Sequence, residues 1–156
     1  MNKAHDLLEA LEDLTWENYV DIADAATQYD KHEIDNEMAK QASVYSYYQG
    51  LLSVAKNRLD DANLNLTKYT AKARKEQKAS TSAKQTAKDL DDFVESSPDF
   101  VVYTLGVNEA SFKYTLLKGL VSALEHKKDW YSYHPIVALR QIYTDNLKNS
   151  QTTTII

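Results

Sequence analysis

The chain of 156 residues has no cysteine, three glycines and two prolines. Without cysteine it has no disulfides and no thiolate chemistry, which fits a reducing cytosol. Glycine and proline are too scarce to punctuate many short strands. No apolar run approaches the roughly 20 residues that cross a membrane. The start, Met1-Asn2-Lys3-Ala4-His5-Asp6, turns acidic at once, unlike a signal peptide. A soluble, cytoplasmic protein with no membrane contact is therefore expected. Catalytic signatures are also missing, with no phosphate-cradling glycine loop, no GxSxG and no HExxH. His126 and His134 are eight apart and poorly placed as a metal pair, and neighbouring acids such as Asp60-Asp61 and Asp91-Asp92 diverge on a helix. The expectation is a protein that is not an enzyme and holds neither cofactor nor metal.

What the sequence does contain is helix. Tyr45, Tyr48, Leu52, Ala55, Leu59, Ala62, Leu66, Tyr69 and Ala73 recur at steps of three and four, a seam held for four heptads. The fold class this predicts is all-α: a long antiparallel helical hairpin with short flanking helices, oligomerising. A single helical domain is expected over 1–148. It comprises an acidic N-terminal helical arm (1–33), a long helix (36–78), a short helix (82–95), a second long helix (98–132) and a C-terminal helix (136–147). A disordered tail would follow at 149–156.

Local signals set most of these bounds. Thr15 can cap the second segment of the arm, and Ser97-Pro98-Asp99 places serine, proline and an acid where a helix start needs them. Ser82 stands three residues before Gln85, a capping-box spacing, with Thr81 as an alternative cap. Lys75 to Ser82 reads as the loop between the long and the short helix. Gly50 projects away from the seam, so the long helix is expected to pass through it with its glycine on the outer face. Gly119 is expected to admit a close helix crossing. The second long helix carries a wide apolar stripe that includes Phe100, Leu105, Phe112, Leu116, Leu117, Leu120 and Leu124. Ile136, Leu139 and Tyr143 give the C-terminal helix an amphipathic face. The residues expected to serve packing or oligomer contacts are Tyr45, Tyr48, Leu52, Leu59, Leu66, Tyr69, Ile136, Leu139 and Tyr143.

The net charge of −5 conceals blocks. Residues 1–37 carry two lysines against eleven acids, residues 38–88 ten bases against three acids, and residues 89–109 six acids with no base. Segregation of this kind concerns partners and solubility. Within the basic block, Lys68, Lys72 and Lys75 fall within about 60° on a helix, and Arg74 and Lys78 widen that arc away from the seam. These five residues form a candidate phosphate-binding stripe, weak and salt-sensitive on one helix and stronger if several subunits display it. The chain also holds eleven tyrosines. Tyr45, Tyr48 and Tyr69 are read as packing with the hydroxyl at the rim, while Tyr47, Tyr131 and Tyr133 are freer to stack on bases.

The order of features resembles the phage recombination-mediator (UvsY-like) family. The likeness is carried by Ile34-Asp35, Tyr45-Ser46-Tyr47-Tyr48, Ala71-Lys72-Ala73-Arg74, and the run from Ser97-Pro98-Asp99-Phe100 through Leu116-Leu117 and Ala123-Leu124. It covers roughly residues 30–145. It implies a homo-oligomeric ring, in that family a heptamer, that binds single-stranded DNA. It also implies loading of a RecA-like recombinase onto strands covered by single-strand-binding protein, in the cytoplasm of the host cell. The family's Lys-x-Arg DNA-binding pair would fall on Lys72 and Arg74, and its assembly helix on Ile136–Leu147. The acidic first 37 residues depart from the family and could compete with DNA for the basic stripe. A rival reading is a non-catalytic coiled-coil structural or assembly-chaperone protein of a phage.

Overall fold

A computed structural model describes residues 3–28, 34–81 and 85–133. Among these residues the protein is all-α, five helices with no strand. The expected C-terminal helix, with Ile136, Leu139 and Tyr143, and the expected tail at 149–156 lie outside the described residues.

The N-terminal arm is two helices, α1 (Lys3–Glu12) and α2 (Trp16–Thr27). Leu11 and Leu14 bury their side chains, whereas Leu8 stays 37% exposed. Thr15 separates the two helices as a capping box. Its hydroxyl accepts from the Asn18 amide at 3.4 Å, and its own amide donates to Asn18 Oδ1 at 2.9 Å. Two otherwise unpaired amides are thereby satisfied. Thr15→Ala is expected to lower stability by about 1 kcal/mol in urea denaturation. An unchanged midpoint would show that α2 does not depend on this cap.

The long helix α3 (Ile34–Ser80) is unbroken over 47 residues, about 70 Å at 1.5 Å per residue. It passes through Gly50 as expected. The glycine does not face outward, however, because a Cβ there would lie 3.5 Å from Leu7 Cδ1 of α1. The segment Lys75–Ser80 is helical rather than loop. It has neither glycine nor proline to stop it, and the Ser80 hydroxyl donates to the Gln77 carbonyl at 3.0 Å.

The short helix α4 (Ala87–Glu95) starts five residues after the expected position, capped by Thr86 in place of Ser82 or Thr81. The Asp89 amide donates to Thr86 Oγ1 at 3.2 Å, and the Thr86 amide donates to Asp89 Oδ2 at 2.9 Å. A carboxylate at the third helical position meets the positive helix end, which a glutamine does not match. The backbone hydrogen bond from Thr86, and then its hydroxyl, hold the Asp89 carboxyl below its ordinary range. This contribution is present above the ordinary aspartate value and is lost as pH falls through the depressed one.

Helix α5 (Pro98–Tyr133) opens as its sequence signal implies, with the Phe100 amide donating to Ser97 Oγ at 3.1 Å. Contacts between α3 and α5 pair in reverse order. The buried Gln41 side-chain amide donates to the Leu124 carbonyl at 3.0 Å, and the Tyr45 hydroxyl donates to Glu125 at 2.8 Å. Farther along α3, Tyr69 meets Ser97 and Tyr103.

One core cluster joins Leu11 and Leu14 to Leu51 and Ala55 of α3 and to Leu116 and Leu117 of α5. Leu117, Leu120 and Leu124 are at most 1% exposed, each burial contributing about 1.5–3 kcal/mol. Toward the other end of α3, Ala73 is buried, as are Leu90 and Val94 of α4. Two lysines of α5 fasten the arm. Lys113 Nζ donates to the Glu12 carbonyl at 3.0 Å, and Lys127 Nζ donates to the Gln28 carbonyl at 2.6 Å. Cations so placed satisfy the last carbonyls of α1 and α2 and the negative ends of their dipoles. The acidic arm is thus docked on α3 and α5, with Gly119 of α5 facing the Tyr19 hydroxyl of α2.

Candidate nucleic-acid interface

The last three turns of α3 carry the basic stripe. Lys68, Lys72, Arg74, Lys75 and Lys78 are all exposed, while Leu66 and Tyr69 on the other side are half-buried and Ala73 is buried. One rigid helix therefore presents five cations to solvent over about 15 Å. Lys72 lies 3.8 Å from Glu76, and Arg74 pairs with Asp91 of α4. Lys68, Lys75 and Lys78 make no ion pair with a described residue. Exposed pairs of this kind contribute about 0–1 kcal/mol, so they leave Lys72 and Arg74 exchangeable onto a phosphate. The acids ion-paired with the stripe, Glu76 and Asp91, come from α3 itself and from α4. In the N-terminal arm, Glu12 lies 3.0 Å from Arg58 of α3.

The singled-out seam residues are buried or half-buried along α3. Tyr45 bonds Glu125, and this hydrogen bond is the first cause that raises its hydroxyl above the ordinary tyrosine range. Tyr48 and Leu52 pack on the core cluster, and burial raises the Tyr48 hydroxyl. Leu59 and Leu66 are half-buried. Tyr47 is 45% exposed and meets Tyr48 edge-on at 5.1 Å. The side chains of Tyr131 and Tyr133 lie outside the described residues.

A groove of about 620 Å³ runs beside the stripe, between the end of α3, α4 and the start of α5. Lys68 and Lys72 line it together with Tyr69, Phe93 and Tyr103. Lys68 also borders a second groove of about 640 Å³ nearer the arm, where Arg58 and Lys113 are interleaved with Glu12, Asp61 and Glu109. Phe93 and Tyr103 did not stand out from periodicity. Their one sequence signal is that each adds an aromatic ring beside, and not within, the apolar stripe of its helix.

Among the described residues no cluster of three or more histidines or acids could hold a metal ion, and no helix is long and apolar enough to cross a membrane. No family model, no curated protein and no solved structure matches this chain.

Proposed function

We propose that the protein is a non-catalytic recombination mediator. In this reading it binds single-stranded DNA through Lys68, Lys72, Arg74, Lys75 and Lys78 and acts as a homo-oligomer. It helps to load a RecA-like recombinase onto strands covered by single-strand-binding protein. The observation that carries the DNA-binding part is the row of five exposed cations on one unbroken helix, three of them without an ion pair to a described residue. A rigid row suits a flexible polyanion, because binding then orders the strand and not the protein.

The α3–α5 pair is read as an antiparallel hairpin, the rod on which the stripe is mounted. One stripe makes at most about five phosphate contacts, a weak and salt-sensitive grip. A symmetric assembly repeats the stripe and multiplies that grip. Such a scheme holds a strand firmly overall and releases it segment by segment to an incoming recombinase. Support for assembly comes from α5, where Val101, Val102, Leu105 and Phe112 are 43–65% exposed along one helix. The recombinase and single-strand-binding partners rest on the motif order that resembles the UvsY-like family.

The same apolar row favours a second reading, a coiled-coil structural or assembly-chaperone protein that contacts protein alone. Native mass with and without a single-stranded oligonucleotide separates the two. The mediator reading expects a multiple of the 17.8 kDa chain that gains the mass of bound oligonucleotide. An oligomer that takes up none supports the second reading, and a monomer that takes up none overturns both.

A further inference from the structure

Tyr69 and Tyr103 are stacked, with ring centroids 4.9 Å apart and planes 29° from parallel. The Tyr69 hydroxyl is hydrogen-bonded to Ser97 Oγ at 2.5 Å. The inner ring of the pair is therefore held on both ring and hydroxyl, and Tyr103 is presented on a prepared support. Tyr103 remains 39% exposed and Phe93, from α4, 44% exposed. Aromatic surface left in water beside a groove is surface that a flat ligand can cover.

Lys68 and Lys72 line the same groove, and Asn65, Glu76 and Asp99 supply polar groups along it. An apolar helix laid there would strip water from two lysines and two acids, of which only Lys72 and Glu76 are paired, at a large desolvation cost. A nucleotide meets each requirement. Its base offers a flat face to the rings, its edge atoms reach the amide and carboxylate, and its phosphates reach the lysines.

We infer that this groove is a base-stacking subsite for an unpaired nucleotide, with Tyr103 and Phe93 supplying the stacking faces and Lys68 and Lys72 holding the flanking phosphates. The inference rests on the proposed binding of single strands by the α3 stripe and assigns its selectivity. A stripe of cations alone grips any polyanion, whereas aromatic faces reward bases that are free to unstack from a partner strand. Duplex DNA, whose bases are paired and stacked, reaches the lysines but not the rings.

The test is a titration of labelled oligothymidylate, and of an abasic strand of equal length, against the full chain and the variants Tyr103→Ala, Phe93→Ala and Tyr103→Phe. Wild type is expected to bind oligothymidylate about tenfold tighter than the abasic strand. Each alanine variant is expected to lose that preference with its salt dependence unchanged, and Tyr103→Phe to keep it. The abasic comparison uses wild-type protein, so a variant that folds poorly does not decide the outcome. If wild type binds both strands equally in a salt-dependent way, the groove is not a base subsite while the stripe still stands. If wild type binds neither strand, the DNA-binding proposal fails and takes the subsite with it.

Discussion

Leu117→Ala is expected to lower folding stability by about 3–5 kcal/mol, measured as the shift in urea midpoint at unchanged slope. Leu117 is fully buried where α1, α3 and α5 meet, packed in one cluster with Leu11, Leu14, Leu51, Ala55 and Leu116. Shortening it removes transfer energy and leaves a cavity walled by three helices that cannot collapse together without shifting α1. Against a total of roughly 5–15 kcal/mol for a domain, that loss removes a large fraction of the folded population's margin. Leu64→Ala makes the same chemical change at a side chain that is 48% exposed, and is expected to cost less than about 1 kcal/mol. Equal costs at the two sites would mean that the three helices do not share this core.

The largest functional effect is expected from reversing Lys72 and Arg74 together. Lys72→Glu/Arg74→Glu removes two of five cations from the stripe and adds two acids beside Glu76 and Asp91. Two lost charge-assisted contacts correspond to about a hundredfold weaker single-strand binding at low salt. The slope of log affinity against log salt should flatten by about 1.4, at about 0.7 for each phosphate contact. Asp91→Asn is expected to move the other way, because it frees Arg74 and removes an acid from the edge of the stripe. A double reversal that binds with wild-type affinity and slope would place the DNA on another surface.

Much of the helical framework was legible because it is local. Thr15 with Asn18, and Ser97 with Pro98 and Asp99, are start signals complete within four residues, and both open a helix where expected. The seam from Tyr45 to Ala73 was legible from periodicity, and its members are buried or half-buried along α3. Where capping signals compete, spacing alone does not choose. Ser82–Gln85 and Thr86–Asp89 share the same spacing, and the charge on Asp89 at the helix start favours the second.

The candidate site was half legible. Its cations follow from helical geometry, but their partners come from across the fold. Arg74 meets Asp91 from 17 residues away, and Tyr69 stacks on Tyr103 from 34 residues away. No local pattern announces such pairs. The same holds for Gly50, whose face is set by the docking of α1. It holds also for Lys113 and Lys127, which look like ordinary solvated lysines in sequence yet cap helices more than 90 residues upstream.

The most direct test of the central claim is the salt dependence of single-strand binding by the wild-type protein. Titrating a labelled oligonucleotide at several salt concentrations should give a straight line of log affinity against log salt. The expected slope lies between about −2, if the three lysines without an ion pair to a described residue engage, and about −3.5, if all five cations do. Binding that is undetectable at low salt, or indifferent to salt, would contradict the assignment of the α3 stripe to a DNA strand.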